Sequence, residues 1–295
     1  MKPVAVLDAP SNLGLRMPAP GVVPGCYKMA GALRDQGLLT RTGARDAGYV
    51  VPPRYDISEW SPGQGLFNAA GIAEYTARLA DRVAALLDND EFPVLLGGDC
   101  SIMLAPLLTL RKRGRYGLAY FDGSADFLRA SQANRVGAAA AETLALATGR
   151  GQADVTDIGG HGPYVQDSDI VVLGNRDDDE DVPNLAEAGI TAWTSSQIQA
   201  EGPGSVAART LEKLTNLDGF WLHLDVDVLD IEVMPAADAP DPGGLQYSEL
   251  LDLLRPMLAH EKCVGANLAI YDPDLDPDGR YAAELTDALV TVLAR

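Results

Sequence analysis

The stretch GFWLHLDVDVLD, Gly219 to Asp230, decides how this 295-residue chain is read. It opens as a continuous apolar run, the pattern of a parallel strand buried on both faces rather than the alternation of a half-exposed one. It then carries His223, Asp225 and Asp227 at two-residue spacing, which an extended strand through Val228 would set on one face, with Asp230 just beyond. A strand that starts as core and finishes in acids belongs to a sheet whose strand ends build a site.

Working outward, comparable apolar runs occupy Pro3–Asp8, Pro93–Gly97, Gly117–Phe121, Asp169–Gly174 and Val264–Tyr271. Helical patterns lie between them. Ile72, Tyr75, Leu79, Val83 and Leu86 recur at three- and four-residue spacings, and residues 205–217 and 279–295 read likewise. This alternation predicts an α/β fold, a three-layer α/β/α sandwich with a mainly parallel sheet. No linker, repeat or low-complexity tract divides the chain, so a single domain over residues 1–295 is expected.

Composition is that of a soluble globular protein, 47% hydrophobic and 22% charged. The net charge of −19 argues against nucleic acid or an anionic membrane as partner, because phosphate would be repelled. It suits a cationic or small zwitterionic ligand, and equally plain solubility. Asp8 interrupts the first apolar run where a signal peptide would continue, and no stretch approaches the roughly 18 apolar residues of a membrane span. Cys26, Cys100 and Cys263 are odd in number and far apart, which argues against a disulfide framework. A cytoplasmic protein is expected.

Three further strand ends carry chemistry: Gly97-Gly98-Asp99-Cys100-Ser101, then Asp122, Ser124 and Asp126, and finally Asp272, Asp274, Asp276 and Asp278. Asp and Ser after a strand often cap the next helix, and that is the preferred reading of the last tract. Asp122, Ser124 and Asp126 would point one way if their strand kept its pleat. Asp225 and Asp227 lie inside an apolar run, where charge is costly unless neutralised. Aspartates gathered from adjacent strands repel one another, so either several stay protonated or a divalent cation joins them. The cation is the simpler answer.

In order and spacing, GGDCS, FDGSADF, HLDVDVLD and DPDLDPDG resemble the ureohydrolases, the superfamily of arginase and agmatinase. The resemblance runs from APSNLGL near the start to the final helix and takes in VMPAADAPDPGGLQYSEL. It implies an arginase-like parallel sheet flanked by helices, a homo-oligomer, and a metal-dependent hydrolase of linear guanidino or amidino C–N bonds. The family's typical site holds two manganese ions bridging a hydroxide that attacks the guanidinium or amidine carbon. Carried onto this chain, the ligands are Cys100, Asp122, Ser124, Asp126, Asp225 and Asp227, with Cys100 and Ser124 standing where the family has histidines. Asp122 and Asp225 would bridge both ions, Cys100 and Asp126 complete one, and Asp227 and Ser124 remain for the other. Asp126 would also orient the hydroxide proton.

The chain thus reads as a divergent member lacking both metal-ligand histidines. A thiolate favours zinc or iron over manganese, and a helix start after the Gly-Gly turn would help ionise it. A serine hydroxyl is a weak ligand, so the second ion is expected to be weak, differently coordinated or absent. The family's substrate-gripping Glu falls at Ile270, with Asp272 the nearest carboxylate. Its helper His has Asn134 as the best polar candidate. LGNRDDDEDVP resembles the loop that holds a substrate's α-amino group, through Asp177 or Asp179. Two other readings stand beside the metal hydrolase. One makes Cys100 a nucleophile with His223 as base, His161 and His260 reading as loop and surface residues. The other is a non-catalytic relative that keeps the fold for binding or assembly.

Overall fold

The computed structural model describes residues 2–128 and 135–294. One eight-stranded sheet holds β1 (Val4–Asp8), β2 (Arg45–Tyr49), β3 (Phe92–Leu96), β4 (Tyr116–Phe121), β5 (Ile170–Asn175), β6 (Thr191–Thr194), β7 (Gly219–Asp225) and β8 (Cys263–Ala269). Every pairing is parallel, in the order β2-β1-β3-β8-β7-β4-β5-β6.

Successive strand residues feed two separate apolar cores. Phe220, Leu222 and Leu224 of β7 pack with Val94 and Leu96 of β3 on one side, whereas Trp221, Leu95 and Tyr120 pack on the other. This two-sided burial is why the strands read as unbroken apolar runs. Helices α1 (Ala69–Asp88) and α2 (Leu104–Arg111) cover the second face. Helices α3 (Pro203–Leu214), α4 (Tyr247–Ala259) and α5 (Arg280–Leu293) cover the first, completing the expected three layers. Among the described residues no helix is long and apolar enough to cross a membrane.

The strand expected through Val228 ends early. β7 stops at Asp225, whose Oδ1 accepts the Asp227 amide at 2.9 Å and curls Val226–Val228 into a 3-10 turn. Asp227 therefore leaves the strand face it was expected to share with His223 and Asp225. β4 stops at Phe121, where it was expected to, and beyond it Asp122 Oδ1 takes the Ser124 amide at 2.7 Å and folds the chain into a loop. The pleat that would have aligned Asp122, Ser124 and Asp126 is absent. The edge strands β2 and β6, and helix α4, escape the pattern reading. Each edge strand buries a single residue, so neither makes an apolar run.

The carboxyl ends of β3, β8, β7 and β4, four neighbours at the middle of the sheet, face one crevice. Gly98 makes the close turn after β3 possible. A Cβ there would sit 1.7 Å from the Ser11 carbonyl oxygen, the same oxygen that accepts the Asp99 amide at 3.1 Å.

Candidate metal centre and its cavity

Each group at the crevice is placed by its strand end. Past the Gly97-Gly98 turn, the Asp99 carboxylate accepts the Ser101 amide at 2.9 Å and the Ser11 hydroxyl at 2.7 Å. Asp99 is thus spent as a buried cap, and the 3-10 turn it starts presents Cys100 to the crevice. β7 contributes His223 and Asp225, two residues apart on one face, and the loop after β4 contributes Asp122.

Cys100, Asp122, His223 and Asp225 are all buried and each offers one ligand atom within 4.8 Å of the others. Among the described residues this is the one group of three or more such side chains set so close. The Cys100 thiol donates to Asp225 Oδ2 at 2.8 Å. Asp122 Oδ2 and His223 Nε2 are buried and find no hydrogen-bond partner among the described residues. Asn267 of β8 engages His223 Nδ1 at 2.7 Å, and the imidazole stacks on Tyr120 of β4 with ring centres 4.8 Å apart.

Burial, then repulsion from neighbouring acids, drives Asp122 and Asp225 well above the usual carboxylate range. Burial and the same acids push the Cys100 thiol up, and burial pushes His223 down to about 3. Asp126 and Asp227 complete the acid ring. Asp126 accepts the Tyr120 hydroxyl at 2.7 Å and the Ser124 hydroxyl at 3.3 Å, and Asp227 accepts the Gly123 amide at 3.0 Å. Burial raises both, Asp126 to about 8.

A divalent ion fits this donor set. It would partner the orphaned Asp122 oxygen, replace the thiol hydrogen between Cys100 and Asp225, and offset the burial and mutual repulsion that raise the acids. Among the described lining residues Arg16 is the only fixed cation. It is exposed at the rim, where its guanidinium donates to the Arg135 and Val136 carbonyls.

The sequence profile of the arginase family matches residues 19–294. The chain belongs to the arginase family. An arginase of Bacillus caldovelox is 28% identical over 287 residues, spanning 96% of this chain and 95% of that protein. Its solved structure superposes with a TM-score of 0.89 at 25% identity, covering 100% of this chain and 99% of that one. An arginase of Brevibacillus brevis is 30% identical over 214 residues, 72% of each chain. Formimidoylglutamase of Bacillus subtilis shares the fold alone, at 19% identity, with a TM-score of 0.75 over 99% of this chain and 86% of that one.

In this arginase-family chain the acids, Cys100 and Ser124 line one cavity of about 250 Å³ with Asp238 and Ile270. Ser124 donates its hydroxyl to Asp126 at 3.3 Å. The structure takes Asp272 for another task, since its carboxylate accepts the Gly25 amide at 2.9 Å and the Asp274 amide at 2.8 Å. That is the capping role preferred for its tract, so Asp272 does not line the cavity as a substitute grip. Asp177 is exposed and accepts the Ser196 hydroxyl at 2.7 Å. Asp179 is half-buried and accepts the Ala125 amide at 2.6 Å, which ties its loop to the one carrying Asp126. Asn134 lies outside the described residues.

Three residues in or beneath the crevice are not marked by the motifs. The sequence offers His223 only as a base for Cys100. Asp238, exposed at the cavity rim, sits in a segment read as a whole, and no periodicity marks it. Arg176 is buried beneath the site and donates to the carbonyls of Asp227 at 2.7 Å, Asp241 at 3.0 Å and Leu229 at 3.1 Å. A lone Arg in a run of acids looks like surface, and that disguised it.

Proposed function

We propose that the protein is a metal-dependent hydrolase of C–N bonds in a small guanidino or amidino compound. The observation that carries this reading is the buried cluster of Cys100, Asp122, His223 and Asp225 at the base of an acid-lined cavity. Membership of the arginase family supports it, as does a net charge of −19, which favours approach of a cation.

A divalent ion bound there would act as a Lewis acid and bring a water to nucleophilic strength near neutral pH. Cys100, Asp122 and Asp225 are the residues to hold it, and Cys100 inclines the site toward zinc or iron over manganese. In this reading Asp126, held by the Tyr120 and Ser124 hydroxyls, would take a proton from the attacking water. Asp238 supplies an open carboxylate at the rim for the substrate's cationic head, since Ile270 offers none. The same reading takes the protein as a cytoplasmic homo-oligomer.

The test is urea and ammonia release from a panel of guanidino and amidino compounds, with protein loaded separately with manganese, zinc and iron. Turnover that vanishes in chelator and in Asp126→Asn supports the hydrolase, and Asp238→Asn should raise KM more than it lowers kcat. Stoichiometric metal without turnover on any compound would favour the non-catalytic relative.

A further inference from the structure

Two consecutive hydrogen bonds settle which nitrogen of His223 carries its hydrogen. The Trp221 indole N–H can only donate, and it donates to Asn267 Oδ1 at 2.8 Å. The other end of that amide is then Nδ2, a donor, and it stands 2.7 Å from His223 Nδ1. Nδ1 is therefore the acceptor, and a neutral imidazole that accepts at Nδ1 carries its hydrogen on Nε2. Strand register builds this relay. Tyr120, His223 and Asn267 are direct cross-strand neighbours on β4, β7 and β8, and the Tyr120 ring lies 14° from parallel to the imidazole. The imidazole is held on one side by Asn267 and across its face by Tyr120. Its Nε2 is buried and without a partner among the described residues, as is Asp122 Oδ2, and His223 and Asp122 each bring a ligand atom to the same close cluster.

We propose that His223 serves the metal centre as a hydrogen-bond donor through Nε2–H, positioning the Asp122 carboxylate, and is not itself a ligand to the ion. The inference rests on the metal-centre reading above. To coordinate through Nε2, His223 would have to carry its hydrogen on Nδ1 and the Asn267 amide would have to turn over. An NH2 group would then face the Trp221 N–H, leaving a buried donor unsatisfied. As a donor, His223 keeps the whole relay and directs its Nε2–H at the Asp122 carboxylate beside the ion, while Cys100, Asp122 and Asp225 remain the ligands. The ligand histidines missing at positions 100 and 124 are then not replaced by His223. This centre is a thiolate-and-carboxylate one oriented by a histidine from behind.

The experiment is nitrogen-15 NMR of the labelled full chain, before and after loading with cadmium-113, with the His223 resonances assigned from the His223→Gln variant. The expected spectrum has Nε2 protonated in both states and shows no coupling between cadmium and Nε2. Removing a group that orients a metal ligand weakens binding about 10–100-fold, so His223→Leu should lose that much cadmium affinity. His223→Gln retains an N–H donor and should bind within a few-fold of wild type. A cadmium-coupled Nε2 with its hydrogen on Nδ1, or a Gln variant as weak as Leu, overturns the proposal while leaving the metal centre standing. If His223→Leu fails to fold, the wild-type coupling pattern decides alone. Wild-type protein that binds no cadmium overturns the metal-centre reading and this proposal with it.

Discussion

The thiol of Cys100 and the carboxylate of Asp225 meet at 2.8 Å, joining the turn after β3 to the end of β7 across the intervening strand β8. The thiol hydrogen lies along the line between two donor atoms, and its loss would free both together for an ion. Cys100→Ser preserves the hydrogen bond while exchanging a soft donor for a hard one. Zinc affinity should fall by at least about tenfold and manganese affinity far less, because only the softer ion gains from sulfur. Competition titration with elemental mass spectrometry measures the ratio, and an unchanged ratio would remove Cys100 from the ligands.

Asp225→Asn tests the acid cluster in the opposite sense. The buried carboxylates destabilise one another, so neutralising one should raise the melting temperature of chelated protein by a few degrees. The same change should abolish the added stability that ion binding gives wild type, which is about 2.7 kcal/mol at a hundredfold excess over Kd. Melting curves with and without metal read both effects. A variant less stable than wild type in chelator would contradict the repulsion inferred for this cluster.

Arg176 secures the floor of the site by gathering three carbonyls, among them that of Asp227. Arg176→Ala leaves those carbonyls bare and should cost about 3 kcal/mol in urea unfolding, given the strength of charge-assisted bonds. Metal affinity should fall with it, since the Val226–Val228 turn loses its anchor. Normal stability with normal affinity would show that this support is dispensable.

Glu142 sets a pH dependence away from the cluster. It is buried, and burial pushes its carboxyl up from 4.5 to about 7. The folded-state value exceeds the unfolded one, so its contribution is fully present below about 4.5 and is lost as pH rises through about 7. Glu142→Gln removes the burden of the charged form. It should match wild type near pH 5 and exceed it near pH 8 by up to about 3 kcal/mol in urea unfolding. Equal stability at both pH values would refute the assignment.

The central strands were legible in the sequence because burial on both faces removes every polar position from runs such as Phe92–Leu96. Edge strands β2 and β6 were not, since Arg45–Tyr49 and Thr191–Thr194 carry the polar residues an exposed edge requires. The site's acids were legible from their place at strand ends, but their geometry was not. Side-chain bonds from Asp122 and Asp225 to amides two residues on fold the chain away from the strand, and spacing alone does not reveal such a turn. The role of Asn267 was hidden for a different reason. It lies on β8, 44 positions from the histidine it engages, and only the strand order brings them together.

Ile270 holds φ at +76°, a left-handed conformation that a β-branched side chain adopts only under strain, and its amide is pinned to the Gly98 carbonyl at 2.8 Å. The backbone therefore aims a side chain into the cavity regardless of what that side chain is. Ile270→Glu would install a carboxylate there without rebuilding the chain around it, so the protein offers a frame in which one substitution resets the charge of the cavity.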